Sequence, residues 1–444
     1  MLQQRSSGTG GGTYDVVVVG ARCAGSPLAI MLSRAGLKVC LVDRATFPSD
    51  TPSTHAVQPA GVRILDQLGV LEEILEQSLP IDGGIISFED VRIEVGGITR
   101  LTGAPVVNAR RVTLDMILLE AAAASGVEVR TQTAVTGLVE AAGRVVGVET
   151  TAGPLRAPLV VGADGARSTV ARLVGAREYH RTAPRRIFLW SYFEGIDESE
   201  RRIWLGGKGD DSFLASPTDA GLFLAAFVAP IDRWDELRRD RTSGCDEGLA
   251  RWPELAQHLA GGRRVGPVRM MSRWHGYFRE SAGPGWALIG DAGHFKDPTP
   301  GQGISDALRQ AVALAAAIEQ GLGGVEPADE ALRRWWAWRD RDAWEMYWFA
   351  QDMGATDRAP MLLRALQVRF AAEPRLVDDL LRVLSHELAP SKLFAPSLIL
   401  SVFGEALRKE RGRRPALLAE MWALTLEELR RRALDLSGAR RPAY

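Results

Sequence analysis

Apolar positions change their spacing along this chain, and the changes divide it. Tyr14–Gly20 (YDVVVVG) is an unbroken β-branched run, which predicts a parallel strand buried on both faces. The turn GARCAGS, Gly20 to Ser26, follows, then a helix over Pro27–Arg34 that Gly36 ends. A second strand, Lys38–Val42, closes at Asp43. This is a βαβ unit with glycines in its first turn and an acidic residue at about the spacing of a ribose contact. Ser49–Gly69 predicts a polar turn and a helix, with Val62, Leu65 and Leu68 at helical spacing. Ile85–Thr102 alternates and predicts strands that turn at glycines. Arg111–Ala124 predicts a helix, and Val127–Glu140 a strand followed by a hairpin through Ala142–Gly143.

Leu159–Val161 is a further buried strand, running into GADGARSTVARLVG, where Ser168 is placed to begin a helix. From Ile187 to Val228 the βαβ rhythm stops, and aromatic-rich runs (IFLWSYF, RIWLGG, GLFLAAFV) predict a separate, mostly antiparallel sheet. Asp232–Ala260 predicts helix and Arg264–Tyr277 strand. The tail, Ala331–Tyr444, is helical in pattern almost throughout, with tryptophans crowded into RRWWAWRDRDAWEMYWF. The fold class expected is α/β. A Rossmann-like domain spans 14–330, with sheet segments at about 82–108 and 178–281 inserted. A disordered leader precedes it over 1–13, and a C-terminal helical domain follows over 331–444.

Composition narrows the function classes. Over 444 residues the formal net charge is −1, so no field favours nucleic acid or an anionic membrane. Three scattered cysteines, Cys23, Cys40 and Cys245, do not make a disulfide framework and fit a reducing compartment. The N-terminus lacks the apolar core of a signal peptide, and no run approaches the ~20 apolar residues of a membrane span. The expectation is a cytoplasmic monomer or homodimer. None of the six histidines has metal-ligand spacing with another His or Cys.

The candidate chemistry sits in Gly285–Ala311, GWALIGDAGHFKDPTPGQGISDALRQA. Trp286–Ile289 predicts a strand, and Asp291 leaves its end, where a carboxylate can accept hydrogen bonds from ligand hydroxyls. A loop with Pro298, Pro300, Gly301 and Gly303 leads into an amphipathic helix whose first N–H groups, near Gly303 and Ile304, are unpaired. That arrangement suits a flat, electron-accepting ring that becomes anionic on reduction, as a flavin does.

Three motifs line up in order: GARCAG with Asp43–Arg44, GADGARS, and GDAGHFKDPTPGQG. Together they resemble the single-component FAD-dependent aromatic hydroxylases, the family of para-hydroxybenzoate hydroxylase, over roughly Tyr14 to Gln320. The resemblance implies FAD on the Rossmann-like domain, a sheet domain roofing the substrate, and NADPH or NADH as a transient co-substrate. It places Gly20 and Gly25 against the pyrophosphate, with Arg22 (where the family has glycine) offering a guanidinium, and Cys23 and Ala24 beside them. Asp43 would hold the adenosine ribose, Arg44 would cover the adenine, and Val135 would add a cofactor contact. Arg111 would reach the ribityl–phosphate region and Asp164 the pyrophosphate. Gly290 and Asp291 would meet the ribityl chain. The backbone from Pro298 through Gly301, Gln302, Gly303 and Ile304 would line the flavin and its oxygen pocket. Ser53, His55 and Val57 would pass alongside the ring, with His55 and Pro298 as the candidate catalytic residues.

The activity so implied is monooxygenation. NAD(P)H reduces the flavin, O₂ forms a C4a-hydroperoxide, and one oxygen hydroxylates or epoxidises a small-to-medium organic substrate. The alternative is an FAD-dependent reductase of the geranylgeranyl-reductase type. Halogenation is less favoured, because the W-x-W-x-I-P of flavin halogenases is absent: Trp336–Trp338 lacks the Ile-Pro.

Overall fold

The computed structural model describes residues 13–197, 199, 201–272, 274–355 and 360–436. Its centre is a six-stranded sheet in the order 282–283, 286–288, 159–162, 16–19, 39–42, 128–130. Val16–Val19 pairs in parallel with Leu159–Gly162 on one side and Val39–Val42 on the other. All four of its valines are buried, as an unbroken β-branched run requires between two covered faces. Helices Gly25–Arg34 and Gly303–Leu322 cover one face and join a core with Leu28, Leu65, Leu118 and Leu308. The leader through residue 12 lies outside the described residues, whereas Thr13 forms a parallel bridge with Arg156.

The second sheet has seven strands, ordered 263–272, 186–194, 222–230, 211–217, 202–208, 83–88, 91–96. It is antiparallel except where Arg202–Lys208 runs parallel to Gly83–Phe88. Two segments distant in sequence thus build one sheet. Period-2 alternation separates its faces. Ile187, Leu189, Phe223, Ala225 and Phe227 pack beneath the helices Arg241–Ala250 and Pro253–Leu259. Phe188, Trp190, Tyr192, Leu224, Ala226 and Val228 form the opposite face.

The structure departs from the periodicity at three places. Ile98–Thr102 is a single helical turn rather than strand, because Gly97 and Gly103 both adopt left-handed backbone, with φ of 70° and 76°, and fold the chain back at each end. Val127–Glu140 is two strands. Gln132, at φ 54°, breaks it, so that Glu128–Arg130 joins the edge of the central sheet while Val135–Ala141 forms a hairpin with Arg144–Thr150. Asp232–Ala260 divides into short helices at Asp240, whose carboxylate caps one, and at Pro253, which opens another.

The tryptophan-rich run lies in the helix Ala328–Met353. Trp335, Trp336 and Tyr347 sink into the same core as the central sheet, and the Trp336 indole N–H donates to Tyr179 Oη at 2.8 Å. The later helices pack elsewhere: Phe370, Val377, Val383 and Leu393 meet Ile93 of the large sheet. No helix among the described residues is long and apolar enough to cross a membrane.

Candidate active site

A cavity of about 940 Å³ runs from the C-terminal ends of the parallel strands to the aromatic face of the large sheet. This is where ligands sit on doubly wound sheets, beyond the strand ends at the point where the strand order reverses. One end is walled by Asp43, Arg44 and Val135, the middle by Gly20, Arg22, Cys23, Ala24, Arg111 and Asp164, and the far end by Gly290, Asp291, Pro298, Gly303 and Ile304. Ser53 lies on its side, and Phe188, Trp190, Leu224 and Met271 close it.

The first turn is shaped by packing as much as by ligand approach. Gly20 has φ 106°, and a Cβ there would stand 2.4 Å from the Ala163 carbonyl oxygen. A Cβ on Gly25 would lie 1.8 Å from the Gly20 oxygen. Gly25 does not line the cavity; it is glycine because the helix start closes onto the strand end. Asp43 fixes the same turn, its carboxylate accepting from the N–H groups of Ala21 and Ala45 at 2.8 Å each.

Arg22 lines the cavity, but its guanidinium is already engaged. It donates to Asp115 Oδ2 at 3.1 Å and Ser49 Oγ at 2.9 Å, and also to Thr51 Oγ1. Arg111 donates to the other oxygen of Asp115 at 2.8 Å. Two guanidinium groups therefore share one fully buried carboxylate, which leaves a net positive charge beside the turn, suited to an anionic pyrophosphate. Asp164 spends its oxygens differently, accepting from Ser168 Oγ and from the N–H groups of Thr169 and Val170. It holds the start of the helix Thr169–Leu173 that Ser168 caps.

Asp291 stands in a 3-10 turn, Gly290–Ala292, anchored by Tyr277 Oη donating to the Asp291 carbonyl at 2.6 Å. No hydrogen-bond partner of its carboxylate is found among the described residues. Burial pushes its carboxyl up to about 6, against the pull of the Arg111 guanidinium. A carboxylate held in a cavity wall without a partner is a group awaiting donors. The helix Gly303–Leu322 opens beside it with no side-chain cap, so its first N–H groups remain available.

Four other residues expected at the cofactor lie behind the cavity wall. His55, at φ 63°, points its ring at the sheet, with Nε2 2.6 Å from Tyr192 Oη, and burial holds it neutral, pushed down to about 4. Val57 pairs with Val107 in a small sheet and is buried in the main core. Gly301, at φ 63°, faces Ala56 and Gln58 rather than the cavity, and Gln58 Nε2 donates to the neighbouring Pro300 carbonyl at 3.1 Å. The Gln302 side chain, as distinct from the backbone expected at the flavin, is turned into the protein, donating to the Leu384 carbonyl at 3.0 Å and accepting from Lys296 Nζ at 2.8 Å.

Gln302 belongs to a buried charge cluster that sequence reasoning missed. Lys296 Nζ pairs with Asp306 Oδ2 at 2.7 Å. His386 Nε2 lies 2.8 Å from Asp306 Oδ1, and Arg309 Nη1 contacts His386 Nδ1 at 3.0 Å. Since Arg309 can only donate, Nδ1 accepts and Nε2 carries the proton facing Asp306. The Lys296 ammonium and His386 hold Asp306 far below the carboxylate range. Adjacent charges, Lys296 and Asp297, in the loop after the strand end were the available signal. Nothing in the sequence marks His386, on the turn after Pro374–Leu384, as the distant partner of Asp306.

Comparison with known proteins gives the family of the chain. Residues 13–346 match the family model described as FAD binding domain. The 6-methylpretetramide 4-monooxygenase of Streptomyces rimosus is 30% identical over 325 residues, covering 70% of this chain and 77% of that one. A 1H-pyrrole-2-carbonyl-[peptidyl-carrier protein] brominase of Pseudoalteromonas luteoviolacea is 25% identical over 324 residues, covering 70% and 79%. Among solved structures, a flavoprotein/dehydrogenase from Cytophaga hutchinsonii superposes with a TM-score of 0.75 at 18% identity, over 89% of this chain and all of that one.

Proposed function

Because the chain belongs to the FAD binding domain family of flavin-dependent monooxygenases and their relatives, we propose that it takes electrons from NADH or NADPH and places one atom of O₂ on a small-to-medium apolar organic molecule. The observation that carries the reading is the continuity of one cavity from Asp43 and the Arg22–Arg111 pair to the aromatic face of Phe188, Trp190 and Leu224. FAD, when bound, supplies the electron acceptance and oxygen activation; the protein supplies binding, orientation and dryness. The positive charge shared by Arg22 and Arg111 would answer a pyrophosphate, Asp291 would accept from ribityl hydroxyls, and the uncapped helix start near Gly303 would favour negative charge at the ring. The aromatic sheet face keeps water from the reacting end. Anaerobic mixing with NADPH or NADH tests the electron route: the bound flavin is expected to bleach.

Halogenation is the second reading, favoured by the brominase among the relatives. It shares the cofactor and differs in what reaches the substrate.

Asp291 gives this reading a pH signature. Hydroxyl donors stabilise the ionised carboxylate, so FAD binding lowers its pKa from about 6 and releases a proton. FAD affinity is therefore expected to tighten as pH rises through that value and to level off above it. In the apoprotein the sign is opposite. A carboxyl raised above its unfolded value adds stability below the unfolded pKa and loses it as pH rises through about 6. Fluorescence titration of the apoprotein with FAD from pH 5 to pH 8 reads the first effect. Asp291→Asn should flatten the curve, and an unchanged slope in that variant counts against the assignment.

A further inference from the structure

A second cavity, about 1350 Å³, lies between the large sheet and the C-terminal helices. Ile86, Phe88 and Ile93 of the sheet face Phe349, Leu366 and Phe370 of the helices across it. It meets the first cavity at Thr54, Phe188 and Leu214, which line both. The walls are chiefly apolar, and of the cations that line them (Arg186, Arg364, Arg369, Lys409 and Arg413) Arg186 is the buried one. Arg186, the first residue of the strand Arg186–Glu194, is 3% exposed and lines the second cavity.

Neutral groups alone hold Arg186. It donates to Thr299 Oγ1 of the flavin loop at 3.2 Å and to Ser212 Oγ of the neighbouring sheet strand. Among the described residues no carboxylate forms an ion pair with it. Asp297, Asp210 and Asp211 are the surrounding anions; Asp211 is paired with Arg233 and Arg251, and Asp297 reaches Arg186 only through Thr299, which donates to it. Burial accordingly pulls the guanidinium below its ordinary range. An arginine taken out of water without a directly paired carboxylate is unfavourable, and a planar oxyanion arriving from the cavity lowers that penalty. Alternation along the strands sets Arg186 on the same face as Phe188 and Trp190, and Ser212 on the face of Leu214. An anion on Arg186 would thus have apolar surface running from it toward both cavities.

We propose that Arg186 is a specificity-determining residue, and that the substrate is an apolar acid: a carboxylate, held by the Arg186 fork beside Thr299, on an aromatic or aliphatic body that lies along Phe188 and Leu214 into the second cavity. The inference rests on the reading that the sheet face receives the substrate. It does not depend on which reaction follows.

The test uses the oxidised FAD-loaded enzyme without any reductant, so a failure of the oxygen chemistry cannot imitate a failure of binding. Decanoate and 2-naphthoate are titrated against the uncharged decanol and 2-naphthylmethanol, followed by calorimetry and by perturbation of the flavin absorbance. The acids should bind more tightly than the alcohols by a factor on the order of ten or more, the scale of hydrogen bonds to a charged group. Arg186→Met should erase that preference while keeping FAD and alcohol binding, and Arg186→Lys, which lacks the fork, should keep part of it. Equal affinities for acid and alcohol in the wild type overturn the proposal, as does a preference that survives in Arg186→Met. Should Arg186→Met not fold, Arg186→Lys decides, and an undiminished preference for the acids in that variant overturns the proposal.

Discussion

Replacing Asp306 by alanine is expected to cost the folded protein about 3–5 kcal/mol, the loss seen when one partner of a buried ion pair is removed. Lys296 is buried against Asp306 and Gln302. Burial already lowers its pKa despite that pairing, so without the carboxylate the ammonium must either stay uncompensated or give up its proton. His386 and Gln302 tie this cluster to the C-terminal helices through Asp306 and the Leu384 carbonyl. The damage should therefore reach the loop Pro298–Gly303 and lower FAD retention as well as stability. Because the Asp306 carboxyl is depressed in the fold, its contribution is present above the unfolded carboxylate range and fades as pH falls toward the folded value. Urea unfolding of wild type and variant at several pH values measures this, and the gap should narrow in acid. The pair change Lys296→Met with Asp306→Leu should recover most of the loss. A cost under about 1 kcal/mol in Asp306→Ala, the range of an exposed pair, would show that the cluster is effectively solvated.

Gly25→Ala should be comparably damaging for a different reason. The added Cβ would sit 1.8 Å from the Gly20 carbonyl oxygen. Gly20 cannot retreat, since its own α-carbon side faces the Ala163 carbonyl. Overpacking costs about 1–3 kcal/mol when neighbours can shift, and a clash of Cβ with backbone places this change at or above the top of that range. FAD should be lost together with stability, because the turn between strand and helix is one wall of the cofactor cavity. Arg22→Gly offers the contrast. It forfeits bonds to Asp115, Ser49 and Thr51, but Arg111 still neutralises Asp115, so the protein should fold and bind FAD more weakly. Thermal unfolding together with the flavin content of the purified variants compares the two. Full FAD occupancy in Gly25→Ala would contradict the packing explanation.

The contrast between these two positions shows what could be read from the chain. Local pattern carried the Rossmann-like unit: four buried valines, a glycine turn and a helix leave few alternatives. It also carried the cavity residues that lie on that unit, among them Asp43, Arg111 and Asp291, because their placement follows from being at a strand end or a helix start. The side-chain orientations it left unread are those that depend on partners far away in sequence. Gln302 points inward because the Leu384 carbonyl is there, and His55 turns from the cavity toward Tyr192. Arg22 lines the cavity, and its hold by Asp115, 93 residues on, is a contact no local pattern encodes. The joining of 83–96 with 186–272 into one sheet is likewise a long-range pairing that no periodicity encodes.

One measurement bears most directly on the proposed function. The FAD-loaded enzyme is supplied with NADPH or NADH, ¹⁸O₂ and a panel of apolar acids and their neutral analogues, with and without bromide, and products are read by mass spectrometry. Monooxygenation predicts NAD(P)H-dependent product carrying one labelled oxygen, whether or not bromide is present. Unlabelled, brominated product that requires bromide would assign halogenation instead, and unlabelled product formed equally without O₂ would assign a reductase; either result contradicts the proposed monooxygenation.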